Sequence, residues 1–239
     1  MKYLAVPWVW ECAWRSVFPA LYLQRYAWYD SPLNSILVDR CVACVGELCW
    51  TLQIAIALRR QGDGRFVALA SVFAVVTYVV AEGASFYAVA TTNEWWAVAE
   101  VGLDAVAVLP LAPAALSLLW RGAGSRGSAA FLWVLVLGVA AQCYFNFFQD
   151  VPMYLARYEA DEAAGKAYFA FVPGLEDAWK TRVVARTYAA WGADMFWMTA
   201  YFTLACWSGL LLMLAPKPES DLFPKKDARV QPLLPPESA

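Results

Sequence analysis

Residues 33–58 read LNSILVDRCVACVGELCWTLQIAIAL. The stretch is long enough to cross a bilayer, which takes roughly 20 mostly apolar residues. It also carries Asp39, Arg40 and Glu47. An ionisable group in a spanning helix costs several kcal/mol unless it is paired, neutralised or wetted. Arg40, Cys44 and Glu47 stand at i, i+4 and i+7, so they share one helix face. That face turns away from lipid, and the rest of the chain has to supply what it meets.

The whole chain agrees with a membrane setting. Its 239 residues are 62% hydrophobic and 16% charged, with a mean hydropathy of +0.48. Soluble domains sit near 45–50% apolar and about 25% charged. The net charge of -2 gives no reason to expect nucleic-acid binding. There is no histidine, which excludes His-ligated haem, His-containing zinc or copper sites and every His-based general base. Chemistry would run on carboxylates, thiols, Tyr, Arg or Lys. No metal site is expected, and no cofactor or catalytic signature can be named: G-x-S-x-G, H-E-x-x-H and a Gly-rich phosphate loop are all missing.

Six cysteines stand at 12, 41, 44, 49, 143 and 206. Cys41 and Cys44 form a CxxC, but no second CxxC and no His supplements it. Packing is the simpler role for a small apolar thiol within a span.

Taken in order, residues 1–32 hold Trp8, Trp10, Trp14, Tyr22, Tyr26, Trp28 and Tyr29 among Arg15, Arg25 and Asp30. That mixture predicts an interfacial aromatic segment. Spans follow at about 33–58, 66–91, 95–119, 129–149 and 183–214, with Pro110 and Pro113 kinking the third. Residues 151–182 form an amphipathic outer loop closed by Pro173-Gly174. Residues 215–239 are rich in Pro, Lys, Asp and Glu and read as a disordered cytoplasmic tail. The expected fold is an all-α polytopic integral membrane protein, with a five-span bundle over 33–214 and interfacial amphipathic helices. Arg59, Arg60, Arg65, Arg121, Arg126, Lys217, Lys225, Lys226 and Arg229 fall on one side, so that side should be cytoplasmic. Five spans then place the N-terminus outside and the C-terminus in the cytoplasm.

Depth can be compared at about 1.5 Å per residue. Asp39 and Arg40 fall about 10 Å below the outer surface, Glu47 about 20 Å, Glu82 and Asp104 about 14 Å, Glu100 about 8 Å and Asp194 about 16 Å. Asn146 lies in the outer half of the fourth span. The simplest account is one carboxylate-rich cavity facing outward, with Asp39, Arg40, Glu47, Glu82, Glu100, Asp104, Asn146 and Asp194 as ligand- or ion-binding candidates. Carboxylates outnumber cations there, so some must be protonated or neutralised by a bound cation. The aromatics Phe86, Tyr87, Trp95, Trp96, Tyr144, Phe145, Tyr188, Trp191 and Trp197 read mainly as belt and packing residues, the remainder suiting a cation–π wall for an organic cation.

Proton- or cation-coupled binding or transport is the function these features suggest first. An intramembrane enzyme acting on a lipid, sterol or quinone is the alternative, and an accessory subunit of a membrane complex is a third. The expected partners are the lipid bilayer and a small cation, proton or lipid-soluble ligand. A homo-oligomer or membrane-complex contact is left open.

Overall fold

A computed structural model describes residues 1–122, 124–192 and 194–216, with all their side chains except those of Phe196 and Trp197. The protein is an all-α integral membrane protein. Four helical stretches are long and apolar enough to cross a membrane: Ile36–Gln61, Arg65–Thr91, Glu94–Trp120 and Arg126–Ala163. A shorter apolar stretch, Met198–Met213, follows. In element terms these are α2 (Ile36–Gln61), α3 (Arg65–Thr91), α4 (Glu94–Val108) with α5 (Leu111–Trp120), and α6 (Arg126–Phe145) with α7 (Val151–Ala163). The short stretch comprises α10 (Met195–Ala200) and α11 (Cys206–Met213), joined by a π turn at Tyr201–Ala205. Pro110 falls at the break between α4 and α5, as its missing N–H requires.

Helix α3 is built inside out relative to a soluble helix. The buried positions of α3 include Ala70, Ser71, Ala74, Tyr78, Ala81, Glu82, Ser85 and Ala88, a 3.6-residue stripe of small and polar side chains. Leu69, Val72, Phe73, Val76, Val79 and Val80 of the same helix are exposed. Lipid is as apolar as leucine, so bulky hydrophobics gain nothing from facing inward, whereas small residues let backbones approach and polar ones find partners.

Residues 1–32 correct the sequence expectation. Residues Lys2–Val17 form helix α1, with Ala5, Trp8, Glu11, Cys12 and Arg15 buried. It runs antiparallel to α2: Trp8 stacks on Trp50 at 5.0 Å between centroids, and Arg15 meets Asp39 at 3.2 Å. A Cβ on Gly46 would fall 2.6 Å from the Glu11 Cβ, so only glycine admits this crossing. Met1 packs into the same apolar cluster as Leu58, Leu118 and Ala215, and Gln61 Nε2 donates to the Pro216 carbonyl at 2.9 Å. Met1 and Pro216 therefore lie at one end of the bundle, here called the base.

The opposite end is a cap. Strands β1 (Ala20–Leu21), β2 (Tyr26–Ala27) and β3 (Val183–Val184) form a small sheet in the order β1-β2-β3, the first pair antiparallel and the second parallel. Helix α8 (Phe171–Lys180) lies across it. Arg25, in a left-handed backbone conformation at φ 57, donates to Asp177 at 2.8 Å and to the Val89 carbonyl at 2.7 Å. Burial lowers the pKa of Arg25, and the hydrogen bond and charge of Asp177 act against that shift. Ser35 Oγ donates to the Ala178 carbonyl at 3.2 Å, fixing α8 over the start of α2.

Three boundaries also move. The fourth span does not stop near 149; it continues through a π turn at Asn146–Asp150 into α7. Pro173-Gly174 lies inside α8 rather than closing it. The last apolar helix does not begin at 183: β3 and a short helix α9 (Tyr188–Trp191) come first, which puts Asp194 at its entrance. Of the expected tail at 215–239, residues 217–239 lie outside the described residues.

Candidate functional site

The polar centre is organised by two buried guanidiniums. Arg15 is 4% exposed and Arg40 is 2% exposed. Arg15 meets Glu11 at 2.9 Å, Asp39 at 3.2 Å and Glu47 at 3.6 Å. Arg40 meets Glu47 at 2.6 Å, Glu100 at 3.2 Å, and Glu82 through the same Nη2 that reaches Glu47. Glu47 is thus shared, and its other oxygen accepts a 2.6 Å hydrogen bond from the Tyr201 hydroxyl. Tyr22 lies against both cations, with its ring centroid 5.5 Å from the Arg15 guanidinium and 5.9 Å from that of Arg40. Tyr201 and Phe202 present rings to Arg15 at 5.3 and 5.2 Å. Planar, delocalised guanidiniums suit this double use, pairing at the edge and stacking on the face.

A cavity of about 630 Å³ adjoins this network. Its outer part is lined by Gln24, Asp150, Tyr154, Arg157 and Asp194. Arg157 and Asp194 form a 2.8 Å ion pair there. Its middle is lined by Arg15, Arg40, Glu47, Tyr78, Glu100, Asp104 and Tyr201. Its deep part is lined by Ile54, Val108, Leu111, Phe131, Leu135 and Leu212, and most of these belong to the apolar core at the base. Both π turns contribute, through Asn146 and Asp150 and through Tyr201, Leu204 and Ala205. Such turns shift the helix register locally and free backbone groups; the Ala205 carbonyl accepts from the Trp8 indole at 3.0 Å.

The cavity opens sideways. Helix α6 packs on α5 and α4, whereas α11 packs on α1 and α2. Between them lie lining residues that are exposed on both walls: Val134 at 62%, Leu204 at 74%, and Gly138. These positions fall within the apolar stretches Arg126–Ala163 and Met198–Met213.

The sequence candidates divide as follows. Arg40, Glu47, Glu100, Asp104, Asn146 and Asp194 all line the cavity. Asp39 and Glu82 stand behind it, paired with Arg15 and Arg40. Asp194 meets Arg157 at the outer end of the cavity. Among the described residues, no group of three or more carboxylate or thiol side chains is arranged to hold a metal ion. Cys41 and Cys44 are free thiols, Cys41 exposed. The residues that sequence reasoning missed are Arg15, Glu11, Trp8, Tyr22, Tyr78 and Tyr201. Spacing alone offered a signal for the first three: Trp8, Glu11, Cys12 and Arg15 share one face of α1. Of the expected aromatic wall, Phe145 lines the cavity. Tyr87 with Trp96 and Trp95 with Tyr158 pack in the cap instead, at 5.0 and 5.8 Å.

No family model, characterised protein or solved structure matches the chain.

Proposed function

We propose that this protein binds a lipid-soluble amphipathic molecule, of the lipid, sterol or quinone kind, within the membrane. The cavity carries the proposal, with a polar middle at Arg40, Glu100, Asp104 and Tyr201, an apolar depth, and exposed apolar lining at Val134 and Leu204. Its volume lies within the roughly 300–1,000 Å³ of ordinary ligand pockets, which are mostly apolar with a few converging polar groups. A ligand arriving from the bilayer would enter between α6 and α11, place its head near α4 and lay its body along Val108, Leu135 and Leu212.

Proton- or cation-coupled transport is the second proposal. The acid excess supports it: Glu11, Asp39, Glu47, Glu82, Glu100 and Asp104 gather around Arg15 and Arg40. The apolar floor favours a site over a path, since a conducted ion needs polar groups through the inner half as well. The basic end, with Lys2, Arg59, Arg60, Arg65, Arg121 and Arg126, is proposed to be cytoplasmic, which puts both described ends of the chain on that side.

The test is a photoactivatable long-chain amphiphile carrying a diazirine, added to the protein in lipid nanodiscs, with adducts mapped by mass spectrometry. Adducts on Val108, Leu135 and Val139, which are 1%, 9% and 5% exposed, are expected and should disappear with excess unlabelled amphiphile. Adducts confined to lipid-facing positions such as Val72, Val76 and Leu137 would refute the proposal.

A further inference from the structure

Two polar side chains in the middle of the cavity have no hydrogen-bond partner among the described residues. Tyr78 is 5% exposed and lines the cavity, yet among the described residues its hydroxyl makes no hydrogen bond. Asp104 lines the same wall, and among the described residues its carboxyl makes neither a hydrogen bond nor an ion pair. The two stand on the packed helices α3 and α4 and line one cavity. Tyr78 is buried and Asp104 half-buried, and polar groups that face a cavity without a protein partner are open to a ligand there.

The surrounding charges say what would satisfy them. Arg40 is already shared by Glu47, Glu82 and Glu100, and Arg15 by Glu11, Asp39 and Glu47. Neither guanidinium has a carboxylate to spare it for Asp104. Six carboxyl groups thus meet two cations, so charge balance there needs protonated acids or a bound cation. An anionic head would add to the imbalance, and a neutral one would leave it unchanged. A primary ammonium supplies one positive charge and three N–H donors, which match the Asp104 carboxylate and the Tyr78 hydroxyl oxygen.

The apolar wall begins where the acids end. On α4 the next residue on the Asp104 face is Val108, and Leu111 follows. From Asp104 to Leu111 is about 10 Å along the axis, with Phe131 and Leu135 facing from α6 and Leu211 and Leu212 from α11. That is a slot for an alkyl chain or ring body directly below a cationic head.

Resting on the amphiphile-binding proposal above, the geometry points to a long-chain primary amine as the ligand class, with its ammonium seated between Asp104 and Tyr78. The head group, not the chain, is then what the site selects.

The experiment compares radiolabelled dodecylamine with dodecanol, which has the same chain and a neutral head, on the protein in nanodiscs. Saturable dodecylamine binding is expected, with dodecanol weaker. Asp104→Asn should weaken dodecylamine about tenfold or more, roughly 1.4 kcal/mol, and leave dodecanol unchanged. Tyr78→Phe should weaken the amine by a smaller factor. Equal affinity of wild-type protein for amine and alcohol overturns the inference, and so does a folded Asp104→Asn that binds the amine as the parent does. If Asp104→Asn does not fold, the wild-type amine-to-alcohol comparison decides alone. Adducts on Val108 and Leu135 in the labelling experiment, together with no preference for the amine, would sink the head-group assignment while sparing the cavity. The absence of those adducts would sink the cavity itself.

Discussion

Replacing Arg40 with methionine probes the centre of the site most directly. The side chain is 2% exposed and holds Glu47 at 2.6 Å, Glu100 at 3.2 Å and Glu82. Methionine fills much of the same volume but leaves three carboxylates facing one another with Arg15 as the nearest cation, 3.6 Å from Glu47. Removing one partner of a buried pair typically costs about 3–5 kcal/mol, because the other charge stays behind. For a chain of this size that corresponds to a fall in melting temperature on the order of 6–20 °C. Glu82→Gln is the control. It keeps shape and a hydrogen-bonding oxygen while removing one charge from a site that already has too many, so its cost should stay near the ~0.6 kcal/mol of a helix-to-helix hydrogen bond. Intrinsic tryptophan fluorescence during heating, in one detergent at one pH, measures both. Adding Glu82→Gln and Glu100→Gln to Arg40→Met should recover part of the loss, since fewer unpaired acids remain. If Arg40→Met melts no lower than Glu82→Gln, the guanidinium is not the centre of the network and the charge argument fails.

Two further outcomes follow from the packing. Tags placed before Met1 and after Ala239 should both be reached from one side of the membrane, and a tag within 159–165 only from the other; opposite sidedness of the two termini would show that α1 does not cross beside α2. Gly209→Ala would put a Cβ 2.3 Å from the Trp8 Cδ1, an overpacking that costs about 1–3 kcal/mol; the thermal assay should show the loss, and Trp8→Leu in the same chain should relieve it.

The spans were legible because their signal is local. Length, apolar content and capping residues place α2, α3 and α4 to within a few residues, and Asn93 Oδ1 accepts from the Trp95 N–H at 2.9 Å as the first-turn cap of α4. Depth along each helix is also local, which is why Arg40, Glu47, Glu100 and Asp104 could be brought together on paper before any contact was known. Depth fails where a boundary is misjudged. A span from 183 puts Asp194 about 16 Å down, yet it stands at the entrance of α10 against Arg157. Nor could depth foresee the two π turns, whose extra residue changes which side chains of α6 and α11 look inward.

The largest correction, α1, has the most specific physical cause. Scored residue by residue, Glu11 and Arg15 count against burial, and the surrounding Trp and Tyr suit an interface. Both penalties are offset by groups outside the segment: Asp39 and Glu47 on α2, and Tyr201 on the last apolar helix, 3.2 Å from Glu11. The face pattern was nonetheless present, with Trp8, Glu11, Cys12 and Arg15 buried and Tyr3, Val6, Trp10 and Val17 exposed, the same inversion that α3 shows. Restoring α1 to the bundle changes the chemistry of the site as well as its topology. With Arg40 alone, every carboxylate at this depth competes for one cation. With Arg15 added, Asp39 and Glu11 are held on the α1 side, Glu82 and Glu100 on the α3–α4 side, and Glu47 between them. The acid left over is Asp104, one turn deeper than Glu100, where the polar wall gives way to Val108 and Leu111. A ligand that meets this site from the bilayer encounters that carboxyl at the boundary between its head and its chain.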